Sequence, residues 1–153
     1  MISIIIPSKN RHNFLKRAIN YYIFTNKKIE IVIIDSSKKK INFKKIKNSK
    51  VKLKIYHKPN LDPYEAMVFG AKKASNKYVA YTGDDDFLII KTAEKAVNFL
   101  EKNKEYSAVT GKSLVFFIKN NYCFGKIERC EEYLQFENNS KSRIVRIKSF
   151  FNN

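Results

Sequence analysis

The sequence predicts an α/β domain built on a parallel sheet, and three observations carry that prediction. Short apolar runs stand at residues 2–6, 29–34 and 78–82. Near-continuous runs of this kind are what strands covered on both faces require. Segments with helical spacing lie between the runs, and strand and helix alternate through residue 103, which argues for parallel strands joined by right-handed crossovers.

The first run, residues 2–6, ends at Pro7, and Ser8-Lys9-Asn10-Arg11 follows as a polar turn. A helix is expected from near Asn13, with Phe14, Leu15, Ala18, Ile19, Tyr21 and Tyr22 as its apolar stripe. Residues 29–34 form the second buried strand, closed by Asp35-Ser36-Ser37. Lys38 to Lys50 is basic, with isolated Ile41, Phe43 and Ile46, and reads as a short weak helix or a loop over a sheet edge. Residues 51–56 alternate apolar and polar side chains, the mark of an edge strand with one solvated face. Asp62-Pro63 is a helix start, with Asp62 as N-cap and Pro63 at the first helical position. Ala66, Met67, Gly70, Ala71 and Ala74 form the stripe of a closely packed helix. A buried strand at 78–82 leads into Gly83-Asp84-Asp85-Asp86, and a further helix is expected over Thr92 to Asn103.

Beyond Glu105 the character changes to a short mixed β region. Strands are expected at Tyr106–Thr110, Leu114–Ile118 and Asn121–Ile127, with Lys119-Asn120-Asn121 as a hairpin turn. A polar break at Asn138-Asn139-Ser140 precedes one or two helical turns around Ile144, Ile147 and Phe150. The last residues, Phe150-Phe151-Asn152-Asn153, carry no capping signal. One domain over residues 1–153 is expected, with a first half at 1–105 and the beginning of a second, incomplete region at 106–153.

Composition narrows the function classes. The chain has 31 Lys+Arg against 14 Asp+Glu, for a formal charge of +17. The lysines are scattered rather than gathered on one helix, which favours a generally basic surface over a dedicated nucleic-acid groove. Such a field attracts anions of any kind, nucleotides and acidic lipid surfaces included. Nucleotide bias in a coding genome gives the same richness in Lys, Ile and Asn, so the charge carries little weight. Cys123 and Cys130 make no disulfide framework and have no His at ligand spacing. The N-terminus has no signal-peptide pattern and no apolar run is long enough to span a bilayer. A cytoplasmic location is therefore expected, or a peripheral one at the inner face of the membrane.

The chemistry concentrates in the acidic loop. All five Asp precede residue 87, each at a strand end or a helix start. In an extended segment residues i and i+2 point the same way. Asp84 and Asp86 are thus expected to face one point, with Asp85 turned aside. Two hard oxygen ligands suit Mg²⁺ or Mn²⁺, which keeps waters and takes further ligands from substrate phosphates. The plainer alternative is a solvated loop whose last Asp caps the next helix. Because ligands of open α/β sheets bind beyond the carboxyl ends of the strands, Pro7-Ser8, Asp35 and the acidic loop would line one crevice. Tyr56 and Tyr64 flank it. His12 and His57 read as surface histidines, and Glu128, Glu131 and Glu132 as a solvated charged face.

Three blocks together carry a resemblance: Ile4-Ile5-Ile6-Pro7-Ser8-Lys9-Asn10-Arg11, Ile31-Val32-Ile33-Ile34-Asp35-Ser36-Ser37, and Tyr78 to Phe87 with its three Asp. In order and spacing they resemble family-2 glycosyltransferases of the GT-A fold, over roughly residues 2 to 120. The resemblance implies a Rossmann-like nucleotide-binding half sheet of order 3-2-1-4. It implies transfer of a sugar, hexosyltransferase-like and inverting, from a nucleoside-diphosphate donor to a glycan or lipid-linked acceptor, as in polysaccharide biosynthesis. Carried over by position, it sets Pro7, Ser8 and Arg11 beside the nucleoside and Asp35 on the base or ribose. Asp84 and Asp85 join the nucleotide-binding set. Asp84 and Asp86 form the metal pair of the DxD motif for Mn²⁺ or Mg²⁺, with Asp86 the leading ligand. The family's usual Asp-Asp-Gly-Ser after the second strand stands here as Asp35-Ser36-Ser37. No catalytic base can be named. Residues 1–153 alone are expected to hold the donor with little turnover, since the family's acceptor half lies further downstream, and an exposed apolar edge near Phe150-Phe151 is expected to promote self-association.

Three rival functions remain at this level. Nucleotidyl transfer uses a similar sheet and metal but calls for a glycine-rich first loop, and Ser8-Lys9-Asn10-Arg11 has no glycine. A basic nucleic-acid-binding module would need specific, steeply salt-dependent binding, and no recognition motif supports it. A catalytically silent sugar-nucleotide binder shares every feature of the first half.

Overall fold

The computed structural model describes residues 1–42, 50–133 and 140–151. The chain divides into two compact units, Met1–Glu94 and Lys95–Asn153.

The first unit is built on four strands: β1 (Ile2–Ser8), β2 (Ile29–Asp35), β3 (Val51–His57) and β4 (Tyr78–Tyr81). All neighbours are parallel and the order is β3-β2-β1-β4, as the sequence predicts. The two apolar runs take the central positions, where both faces are covered, and Ile4, Ile5, Ile6, Ile31, Val32, Ile33 and Ile34 are wholly buried. The alternating strand β3 takes one edge.

Helix α1 (His12–Phe24) buries Leu15, Ala18, Ile19 and Tyr22. It begins one residue earlier than the stripe implies. Helix α2 (Pro63–Lys73) starts as predicted, and more completely. The Asp62 carboxylate accepts the Glu65 N–H at 2.8 Å while the Glu65 carboxylate accepts the Asp62 N–H at 3.1 Å. This reciprocal pair satisfies two backbone donors that the first turn leaves open. Since β2 lies on one side of β1 and β4 on the other, right-handed crossovers put α1 and α2 on opposite faces of the sheet.

Helix α2 lies against β1 and β2, where Ala66 packs with Ile5, Val32 and Ile34. Gly70 sets its distance of approach. A Cβ there would stand 2.5 Å from Ile5 Cγ2 and 2.9 Å from Ile34 Cδ1. Both atoms belong to β-branched side chains in the packed core, where little can give. Gly70→Val is expected to cost about 3 kcal/mol, the upper end of ordinary overpacking. Thermal denaturation checks this; an unchanged midpoint would mean that α2 can lift off the sheet freely.

Two local expectations differ from the structure. Strand β4 is expected to be buried, yet Val79 and Tyr81 are exposed while Tyr78 and Ala80 are half-buried. Its position at the edge of the sheet explains this, since an apolar run alone does not distinguish an edge strand from a central one. The helix expected from Thr92 begins earlier, as α3 (Ile90–Lys102), with Ile90 and Ala93 buried.

In the second unit, β5 (Ser113–Ile118) and β6 (Ile127–Tyr133) form an antiparallel hairpin. Helix α4 spans Arg143–Phe151. Tyr106–Thr110 forms no strand, and neither sheet includes it among the described residues. Tyr106 instead packs its ring on Phe99 and under the Arg146 guanidinium. The strand expected at Asn121–Ile127 is mostly turn. A 3-10 turn at Lys119–Asn121 puts Asn120 at φ 58°, and the Lys119 N–H reaches Lys126 O at 3.0 Å to close the loop. The register then skips Glu128 between Phe117–Arg129 and Ile118–Ile127, a bulge that shifts the strand. Leu114, Phe116 and Ile127 remain exposed on this hairpin.

Phe43 and Ile46, the turn residues Asn138-Asn139, and the final Asn152-Asn153 lie outside the described residues. So does most of the weak helix expected between Lys38 and Lys50. Among the described residues no helix is long and apolar enough to cross a membrane.

Candidate functional site

The carboxyl ends of β1 and β2 and the loop after β4 meet at one edge of the first unit. Backbone hydrogen bonds fix their levels. The Ile5 carbonyl accepts the Thr82 N–H at 3.2 Å, and the Ser8 carbonyl accepts the Ser36 N–H at 2.8 Å. Backbone groups of a parallel strand alternate between neighbours, so Pro7 presents its missing donor on the β4 side, beyond the last β4 pairing at Tyr81. A proline is thus tolerated at the end of a central strand. Ser8 follows it, level with Asp35 on β2.

Ser8 ties β1 to the acidic loop. Its hydroxyl donates to Asp84 Oδ2 at 2.7 Å, in a buried contact. Asp84 is 4% exposed, and its other oxygen lies 3.1 Å from Arg11. Arg11 also donates to Asp85 Oδ2 at 2.6 Å. Residues 84 and 85 form a bend rather than an extended pair. The pairing therefore differs from the i, i+2 expectation: Arg11 bridges Asp84 and Asp85, while Asp86 curls back. Asp86 Oδ2 accepts the Gly83 N–H at 3.1 Å, and the Asp86 side chain is exposed. A side chain at Gly83 would meet this turn: its Cβ would stand 2.8 Å from Asp86 Oδ2 and 2.9 Å from Asp85 Oδ1. Burial pushes the Asp84 carboxyl above its ordinary range, and the Asp85 and Asp86 charges add to that. The Ser8 hydrogen bond and Arg11 oppose it without cancelling it.

Helix α1 clamps the same loop from one side, through Arg17 and through residues of its apolar stripe. Arg17 donates to the Asp85 carbonyl at 2.9 Å and stacks on both Phe14 and Phe87. The Arg11 guanidinium covers the Phe14 ring at 4.5 Å. Tyr22 accepts the Leu88 N–H at 3.1 Å, Tyr21 donates to the Leu88 carbonyl, and the Tyr21 ring meets Phe87 edge-on. Burial drives the Tyr22 phenol up to about 12, so it stays neutral in this role. The available signal was spacing: Arg11, Phe14, Arg17 and Tyr21 recur at three or four residues along one helical face.

Asp35 is wholly buried. Its two oxygens accept backbone N–H groups, Oδ1 from Ser37 at 3.1 Å and Oδ2 from Ile41 at 2.9 Å. Burial alone would raise its pKa. Hydrogen bonds from Ser37 and Ile41 and the nearby His12 outweigh that and lower it. Both histidines converge on Ser37: His12 Nε2 lies 3.2 Å from its hydroxyl, and His57 Nε2 donates to its carbonyl at 2.9 Å. The Asn10 N–H donates to the same hydroxyl at 2.7 Å. Tyr56 packs edge-on against Phe69, while Tyr64 is exposed. Glu131 pairs with Arg129 and Glu132 with Lys112, all on the second unit's surface.

The ligand-type side chains of the acidic loop are carboxylates, which suit a hard divalent ion. Among the described residues no group of three or more ligand-type side chains stands at metal-binding spacing. Asp85 and Asp86 are the exposed carboxylates of the loop, and Asp84 is the buried one.

An open parallel sheet with polar residues gathered beyond its carboxyl ends is the architecture of nucleotide-binding α/β proteins. The chain belongs to glycosyl transferase family 2, whose family model matches residues 3–151. It is 36% identical over 105 residues to an uncharacterized glycosyltransferase of Rickettsia conorii, a match covering 67% of this chain and 17% of that protein. An uncharacterized glycosyltransferase of Rickettsia typhi is 28% identical over 137 residues, covering 82% of this chain and 43% of the relative. The chain thus spans less than half the length of either relative. Among solved structures, S. aureus TarS 1–349 in complex with UDP-GlcNAc is similar with a TM-score of 0.48 at 16% identity, over 67% of this chain and 32% of that one.

Proposed function

We propose that this chain holds a nucleoside-diphosphate sugar at the carboxyl edge of β1, β2 and β4, for transfer of the sugar to a glycan or lipid-linked acceptor. The observation that carries this reading is the junction of Ser8 and Arg11 with Asp84 and Asp85 at the strand ends, next to the exposed Asp86, in a chain of glycosyl transferase family 2. The Ser8–Asp84 bond and the α1 clamp hold the loop in place, so that Asp86 meets the donor's diphosphate with a divalent ion between them. Bound there, Mg²⁺ or Mn²⁺ would offset charge on the leaving diphosphate. Arg11, half exposed beside the same carboxylates, is a second cation within reach of the phosphates. Pro7, Ser8 and the 35–41 segment held by Asp35 line the nucleoside side.

Calorimetric titration of UDP and GDP tests the reading. One of the two is expected to bind with Mn²⁺ and about tenfold or more weakly with EDTA, and Asp86→Ala is expected to remove the difference. Equal binding in both conditions, or an unaffected Asp86→Ala variant, would refute it.

A further inference from the structure

The acidic loop already contains a cation. One guanidinium touches two of its three carboxylates, at 3.1 Å on Asp84 and 2.6 Å on Asp85. The contact to Asp85 is a short charge-assisted hydrogen bond, the strong kind, and the one to Asp84 is an ion pair. Asp84 is almost fully buried, so it needs a compensating charge whenever it is ionised. Arg11 differs in one respect: its side chain is 43% exposed, with one face on Phe14. It can therefore swing away without opening the core. A divalent ion seated at Asp86 meets the neighbouring Asp84 and Asp85 carboxylates already occupied, with the guanidinium's charge beside them.

We propose that Arg11 is the resident cation of the nucleotide-free site: it competes with the divalent ion for Asp84 and Asp85, and moves to the donor's diphosphate when ion and nucleotide arrive together. Metal and nucleotide then bind as a coupled pair, each raising the affinity of the other by the same factor. The coupling arises because the diphosphate gives Arg11 another anion to hold. The inference rests on the proposed donor site, and it assigns Arg11 a role distinct from contact with the nucleoside.

Mn²⁺ affinity measured without nucleotide, by the loss of the free-ion electron paramagnetic resonance signal, tests it. The probe is the metal alone, so the result does not depend on turnover. Arg11→Ala is expected to bind Mn²⁺ about tenfold more tightly than the parent, as removal of a like charge at contact distance requires. Arg11→Met keeps the aliphatic stem over Phe14, removes only the charge, and is expected to match Arg11→Ala. With UDP or GDP present, both variants should show weaker nucleotide binding and a smaller mutual enhancement. Thermal melting of each variant confirms that the fold is retained. Equal Mn²⁺ affinity in parent and variants, absence of binding in all three included, would overturn the proposal. Failure of the parent to bind nucleotide at saturating Mn²⁺ would instead refute the donor site, while the metal-only comparison still decides the role of Arg11.

Discussion

Glu30→Ala is expected to destabilise the protein by about 2–4 kcal/mol, the cost of leaving two hydrogen-bond donors without their acceptor and a lysine without its counter-charge. The residue sits on the central strand β2 at the edge opposite the candidate site, and 1% of it is exposed. Its carboxylate joins three segments. It accepts the Ser3 hydroxyl of β1 at 2.6 Å and the Ser75 N–H, between α2 and β4, also at 2.6 Å. Lys54 Nζ of β3 lies 2.9 Å from Oε1, as an ion-pair partner rather than an aligned hydrogen-bond donor. Removing the carboxylate leaves the Ser3 hydroxyl and the Ser75 N–H without their acceptor and takes the counter-charge from Lys54, whose ammonium keeps hydrogen bonds to Lys73 O and Ser75 Oγ. For a chain of this size about 4 kcal/mol corresponds to a fall of roughly 10 °C in melting temperature. Burial would raise the Glu30 pKa, but the Ser3, Ser75 and Lys54 interactions bring it from 4.5 down to about 2. A carboxylate depressed in the folded state stabilises the fold above its unfolded pKa. That stability is lost as pH falls through the folded one. The parent should therefore lose on the order of 3 kcal/mol between about pH 5 and pH 2 from this group. Glu30→Gln should show a flatter profile over that window. Denaturant melts at stepped pH measure both effects; equal slopes would show that Glu30 is not the group responsible.

How much of this was legible depends on whether neighbours in sequence or neighbours in space decide. The parallel alternation of strand and helix could be read from apolar runs and helical spacing, while the order 3-2-1-4 came from the resemblance carried by the three motif blocks. The start of α2 could be read because Asp62-Pro63 and Glu65 satisfy one another within four residues. Strand β6 could not. Ile127–Tyr133 reads Ile-Glu-Arg-Cys-Glu-Glu-Tyr, with no apolar alternation, and becomes a strand by pairing with β5. At the candidate site, the strand-end rule was enough to bring Ser8, Asp35 and Asp84 to one edge. The partner choice inside the loop was not legible, because a bend at 84–85 replaced the extended backbone on which the i, i+2 argument depended. Arg17 and Tyr22 were hidden for a related reason. Each lies on a helix whose stripe accounts for it as surface or core, and only the spatial meeting of α1 with the loop at Phe87-Leu88 gives it a second task.

Asp35→Ala is expected to act on stability and nucleotide binding together, and the two can be separated. The substitution leaves the Ser37 and Ile41 N–H groups without their acceptor in a buried setting. An unsatisfied buried donor costs about 1–3 kcal/mol, so a loss of roughly 2–6 kcal/mol follows. Asp35→Asn should recover little of it. One amide oxygen can serve one of the two donors, but the NH₂ then faces the other N–H, donor against donor. The loop that loses its anchor carries Ser36 and Ser37 at the crevice, with His12, His57 and Asn10 arranged around Ser37. If Asp35 acts by holding this loop, nucleotide affinity should fall for UDP and GDP by a similar factor, with Mn²⁺ dependence intact. If its carboxylate reaches the base, the loss should fall on one nucleotide and spare the other. Chemical denaturation fixes the stability term, and competition binding of UDP against GDP fixes the second. The arrangement of two backbone donors on one fully buried carboxylate favours the first outcome. A base-selective loss in Asp35→Asn, with stability unchanged, would show that the loop opens on binding and exposes the carboxylate to the nucleoside.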